Sequence, residues 1–141
     1  PENASQYTAN AQSFIARIEQ MQVDIEAQLK PFSGKEFIVS HDAFHGFESR
    51  FGVEAAGAIS DSDAVAPSPK RVAIIRDLVA EKGVTCVLAQ PQANVGLINA
   101  VAQGATIGLV DELGAGLDIG PDLYENLLRS ISQTLADCLA D

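Results

Sequence analysis

The most constraining feature of this chain is a fourfold alternation of short apolar runs with helix-length stretches across residues 36–139. The first run, 36–40, ends at a polar break (Ser40, His41, Asp42) and leads into an amphipathic stretch over 43–51. A second run covers 53–59 and is followed by the polar loop SDSDAVAPS, in which Ser68 and Pro69 have the chemistry of an N-cap and a first helical turn. The helix this predicts, 69–82, stops at Gly83. The third run, 84–89, is almost wholly apolar, as in a strand buried on both faces. A helix over 93–103, a fourth run over 105–110, the glycine-rich loop DELGAGLDIG and a last helix over 121–139 complete the series. Strand–helix alternation of this kind predicts an α/β fold: a four-stranded parallel sheet with helices on both faces.

A long helix is predicted before the sheet, over 5–29. Tyr7, Ala11, Phe14, Ile18, Met21, Ile25 and Leu29 recur at spacings of three and four and form one stripe, with no Gly or Pro to interrupt it. Lys30-Pro31 and Ser33-Gly34 stop it. The stripe predicts a helix packed across the domain. It is equally the pattern of a connector reaching toward another domain.

The totals narrow the function. At 141 residues, 47% hydrophobic and 20% charged, the chain has the size and composition of one folded domain. Its formal net charge of -10 opposes nucleic acid or an anionic membrane as partner, since both require basic patches. No apolar run approaches the roughly 20 residues of a membrane helix. The opening PENASQYTANAQ lacks the pattern of a signal peptide and reads as the start of a mature product or a fragment. The two cysteines, Cys86 and Cys138, fit neither a CxxC redox motif nor a zinc ribbon. They are either buried thiols or one disulfide, and a bridge closing a loop of about 50 residues would contribute roughly 4 kcal/mol on the chain-entropy model.

In an open parallel sheet, ligands bind at the carboxyl ends of the strands. That edge is predicted to present His41, Asp42, Ser60, Asp61, Gln90, Asp111 and Glu112. His41 is a candidate metal ligand, with a strand-end histidine bonded to nearby backbone as the competing reading. Asp111 would supply a carboxylate beside it, or else cap its own loop. His45 follows His41 by four residues, but HDAFH is not the HExxH of a metalloprotease, and His41 falls on a strand–helix turn rather than inside a helix. DELGAG lacks the Gly-Lys-Ser/Thr of a phosphate loop, and no G-x-S-x-G elbow occurs. A zinc site takes about three or four protein ligands. His41 and Asp111 alone fall short of that, so strong binding needs ligands from elsewhere.

Val39-Ser40-His41-Asp42-Ala43-Phe44, with Phe47 and Phe51-Gly52, resembles the "HDA(F/Y)xxF…(F/Y)G" segment of the metal-binding receptors of ABC transporters, the periplasmic zinc and manganese solute-binding proteins. Pro1-Glu2-Asn3-Ala4 with Tyr7 and Asn10 is similar to their "DPxNA…Y…N", which begins the long helix joining two lobes. The segment 85–92, TCVLAQPQ, resembles "TCVFAEPQ" of the zinc-specific, ZnuA-type members, and Val110-Asp111-Glu112-Leu113-Gly114 resembles "LDPLG". Tyr124 and the closing 136–139 match the family's last helix. Gln90 stands where the motif has Glu, and Glu112 where it has Pro.

The resemblance covers the chain in order and implies a specific role. Residues 1–30 would be the inter-lobe connecting helix, and 31–141 the C-terminal metal-binding lobe of a receptor that captures Zn2+ and delivers it to a membrane permease. His41 carries over as the lobe's zinc-ligating histidine, where manganese-type relatives tend to carry Glu. Asp111 carries over as a carboxylate at or near the metal, and Cys86 and Cys138 as the zinc receptors' disulfide. The same likeness implies an extracytoplasmic, periplasmic location, no catalysis, and an N-terminal lobe with the other ligating histidines as partner. A dimer of the lobe through its crevice or helix stays open. Two rival readings are a small metal-dependent hydrolase using His41, Asp42 and Asp111, and a metal-free α/β interaction domain in which His41 is structural.

Overall fold

The computed structural model describes residues 2–62 and 64–140. Pro1 of the opening motif, Asp63 of the polar loop and Asp141 at the predicted end of the lobe lie outside the described residues. A long helix α1 (Ala4–Leu29) and a single 3-10 turn (Lys30–Phe32) precede β1 (Glu36–His41), α2 (His45–Phe51), β2 (Glu54–Ser60), α3 (Pro69–Lys82), β3 (Cys86–Ala89), α4 (Val95–Ala102), β4 (Thr106–Leu109) and α5 (Leu123–Ala140). The strands form one parallel sheet in the order β2-β1-β3-β4.

Strand alternation divides the core into two layers. Phe37, Val39, Cys86 and Leu88 face α1 and α5, where Met21, Ile25, Leu29, Ile131, Leu135 and Leu139 meet them. Ile38, Val87 and Ala89 face α3 and α4, against Ile75, Val79, Ile98 and Val101. On the first face Cys86 of β3 is bridged to Cys138 of α5, with the Cα atoms 5.3 Å apart. The bridge lies beside Gly108 of β4, where an added Cβ would come within 2.8 Å of the Leu88 side chain and 3.3 Å of the Cys138 Cβ. A side chain at 108 would therefore push α5 off the sheet.

Element ends shift where local hydrogen bonding outweighs hydrophobic pattern. Helix α3 has the predicted bounds, with the Ser68 hydroxyl accepting from the Arg71 amide at 3.2 Å and Gly83 in the left-handed region at φ 62. Helix α2 starts at His45, two residues later than the apolar pattern placed it, because the Ala43 amide turns back onto the His41 carbonyl at 3.0 Å. Helix α4 starts at Val95 rather than 93, because the Asn94 side chain caps the Leu97 amide at 3.0 Å. Strand β3 starts at Cys86 rather than 84, since the Val84 amide stays bonded to the Val79 carbonyl at the end of α3.

Helix α1 is packed against the domain over only part of its length, the pattern of the connector reading. Met21, Ile25 and Leu29 are buried and Ile18 is partly so, but residues 2–16 are exposed, Tyr7 and Phe14 among them. The buried half packs on the apolar face of α5, and ion pairs at the rim add to this. Arg17 bonds Glu125 at 2.8 Å and also pairs with Asp122, and Arg129 bonds Asp24 at 2.8 Å. At 1.5 Å per residue, the exposed half extends ~20 Å beyond these contacts.

Candidate metal site

The sheet order sets where a ligand can be held. From β1 the chain moves to β2 on one side, then crosses back to β3 on the other. The connections thus diverge between β1 and β3, and a crevice opens at their carboxyl ends. His41 is the last residue of β1, and Gln90 follows β3 directly. Both line a cleft of about 310 Å³ that continues past Ser60, Pro67 and Asn94.

Glu112, three residues beyond the end of β4 at Leu109, comes back across β3 to this point. Its Oε1 lies 3.9 Å from His41 Nε2, and the two side chains are 12% and 14% exposed for His41 and Glu112 respectively. The buried Gln90 amide donates to the same Glu112 oxygen. His41, Gln90 and Glu112 therefore converge from the ends of three adjacent strands. An imidazole beside a carboxylate, in a largely water-excluded position, is a donor pair suited to a divalent cation such as zinc.

The other predicted acids go elsewhere, and Ser60 lines the cleft with its hydroxyl engaged. Asp111 caps its own loop: its Oδ2 accepts from the Gly116 amide at 2.7 Å. That bond, with help from the amides of Ala115, Leu113 and Gly114, holds its carboxyl below the usual carboxylate range against a smaller opposing effect of burial. Gly114, at φ 68, gives the loop the left-handed turn it needs to wrap the carboxylate. Asp42 and Asp61 line a separate cleft with His45, Glu48 and Arg71. There His45, 78% exposed, lies 3.0 Å from Asp42. His41 and His45 are thus directed to different clefts, and they do not form the chelating pair of an HExxH helix. The Ser60 hydroxyl is taken up by its loop, 2.7 Å from the Val65 carbonyl.

Two acidic neighbours of the histidines carry weaker sequence signals. Glu112 was legible only as a strand-edge residue and a departure from the LDPLG pattern. Its contact with His41 depends on strand order, which periodicity does not give. Glu48 is a buried acid whose side chain is 9% exposed, and burial raises its pKa while a bond from the Ala55 amide opposes the rise. Its signal is helical spacing, since it follows Phe44 by four residues and precedes Phe51 by three, on the face they share. Among the described residues, no three His, Cys, Asp or Glu side chains come together as a metal-binding group.

Comparison with known proteins gives a consistent result. Residues 1–138 match the ZnuA family model, described as zinc-uptake complex component A, periplasmic. The chain is 42% identical to the high-affinity zinc uptake system protein ZnuA of Brucella suis, over 99% of this chain and 42% of that protein. It is 39% identical to the protein of the same name from Paracoccus denitrificans, over 99% of this chain and 44% of the other. The chain therefore spans about two fifths of the length of these relatives. Among solved structures, it superposes with a TM-score of 0.83 on the laminin-binding protein Lmb of Streptococcus agalactiae, described as bifunctional with adhesin and metal-transporting activity. The identity there is 28%, over 99% of this chain and 54% of that one. A crystal structure of ZnuA gives a TM-score of 0.81 at 25% identity, over 97% of this chain and 51% of the other.

Proposed function

The chain belongs to the ZnuA family of zinc-uptake components, and from that premise we propose that it is the C-terminal lobe and connecting helix of a periplasmic zinc receptor. The lobe holds Zn2+ at the carboxyl edge of its sheet through His41. The observation that carries the reading is the position of His41: at the point where the chain connections diverge, largely buried, and beside a carboxylate. Residues 1–30 serve as the connector and 31–141 as the metal-binding lobe. The exposed half of α1, with its apolar Tyr7 and Phe14, is the surface on which an N-terminal lobe of the same receptor would pack. That lobe supplies the remaining ligands, because His41 and one carboxylate fall short of the about three or four that zinc takes. The loaded receptor delivers its ion to an ABC permease. Zinc is cargo here, so the chain is a binder and not an enzyme.

Calorimetric titration of the 141-residue chain with Zn2+, with His41→Ala alongside, tests this. Weak binding that the substitution removes, and that addition of an N-terminal lobe strengthens, is the expected result. Binding indifferent to His41 would overturn it. A hydrolytic rate lost in His41→Ala would point instead to the hydrolase reading, and two lobes dimerising on zinc would mean that a second copy supplies the missing ligands.

A further inference from the structure

Resting on that receptor reading, we propose that Glu112, and not Asp111, is the carboxylate with which this lobe grips its metal. The two acids are adjacent in the sequence, but the fold gives them different tasks. The Asp111 carboxylate is turned into the loop, with Oδ2 on the Gly116 amide at 2.7 Å. Leaving that position for a metal would strip the turn of its organising acceptor. Glu112 points the other way, across β3, and its Oε1 lies 3.9 Å from His41 Nε2. Two donors at ~2.0–2.1 Å from a tetrahedral zinc stand ~3.4 Å apart. Closing a gap of 3.9 Å to that value is a side-chain adjustment of about half an ångström.

Gln90 makes the arrangement possible. Its buried amide donates to Glu112 Oε1. A carboxylate at position 90 would instead place a second negative charge against Glu112, and like charges so close disfavour each other's ionised form. The amide orients Glu112 and leaves it the charge a cation requires, as partners behind a metal ligand commonly do. Two of the positions at which the chain departs from the zinc-receptor motifs, 90 and 112, are in contact with each other.

The test compares four versions of the 141-residue chain: unsubstituted, His41→Ala, Glu112→Gln and Asp111→Asn. Zinc affinity is read by competition with a fluorescent zinc indicator, and thermal unfolding is recorded without metal. Loss of a supporting partner costs a metal site 10–100-fold as an order of magnitude, so loss of a direct ligand should weaken binding by ~10-fold or more. His41→Ala and Glu112→Gln are both expected to show that loss. Glu112→Gln keeps the size and the hydrogen-bond acceptor of the native side chain and should melt within a degree or two of it, at most roughly 2 °C. Asp111→Asn should lower the melting temperature and leave affinity within about twofold, since it removes no ligand. Full affinity in Glu112→Gln, with His41→Ala still defective, overturns the assignment to Glu112 and leaves the receptor reading in place. Full affinity in His41→Ala overturns the receptor reading itself.

Discussion

His41 and His45 are four residues apart, and they show how differently one short segment can use the same side chain. His41 ends a strand next to the sheet's crossover point, with 12% of its side chain exposed and Glu112 and Gln90 nearby. His45 opens a helix, is 78% exposed, and pairs with Asp42 of its own loop. The first contact joins residues brought together by sheet order. The second joins residues three apart on the chain and would form in an isolated turn. A binding site needs the first kind, because only long-range contacts can hold ligands from separate elements in a fixed geometry.

The largest effect should come from exchanging the two histidines' fates. His41→Ala should weaken zinc binding by ~10-fold or more, whereas His45→Ala should leave it within about twofold, since an exposed local pair contributes little. Parallel calorimetric titrations read both. Equal losses from the two substitutions would mean that the two clefts act as one site.

A smaller effect should separate the loop that carries Glu112 from the ligand itself. Asp111 keeps this loop closed through the Gly116 amide, and its lowered pKa has that bond as its main cause. A depressed carboxyl contributes stability that is present above its unfolded value and lost as pH falls through the folded one. Asp111→Asn should therefore lower the melting temperature by a few degrees, roughly 2–5 °C, at neutral pH. The gap to the unsubstituted chain should narrow below the ordinary carboxylate range. A gap that stays constant down to acid pH would assign the effect to shape and not to charge.

The parts of this molecule that were legible in its sequence are those fixed by local chemistry. The strand–helix alternation gave the fold class, and Ser68, Pro69 and Gly83 gave the bounds of α3. The stripe on α1 was real, but it could not say where its partner ends. Nothing in the repeat from Tyr7 to Leu29 distinguishes Met21, which packs on the sheet layer, from Phe14, which stays exposed. At the edge, the sequence named His41, Gln90, Asp111 and Glu112 together but not their pairing. That depends on β3 lying between β1 and β4, an order set by crossover connections and core packing. Asp42 and Asp61, each the residue after a strand end, face a separate cleft from His41, and the sequence pattern did not distinguish the two sides.

Glu48 gives the smallest and most local test of the His45 side. Its carboxylate is buried under α2, accepts a long bond from the Ala55 amide at 3.4 Å and faces His45 at 3.8 Å. Burial is the leading influence and raises its pKa, against the pull of Ala55 and His45 and with smaller additions from Asp42 and Glu54. A raised carboxyl favours the fold most when protonated. Its stabilising contribution is complete below the unfolded value and is lost as pH rises through the folded one. At neutral pH, Glu48 therefore sits charged in a position better suited to a neutral side chain. Glu48→Gln keeps the shape and the acceptor for Ala55, and should stabilise the chain by roughly 0.5 kcal/mol at pH 7. That gain should disappear under acid conditions, where the native side chain is itself neutral. Chemical denaturation at the two pH values measures it. A loss of stability at pH 7 would show that the charge on Glu48 is held by His45 and Ala55 more strongly than burial opposes it, and the His45 cleft would then be an organised electrostatic site and not only a solvated turn.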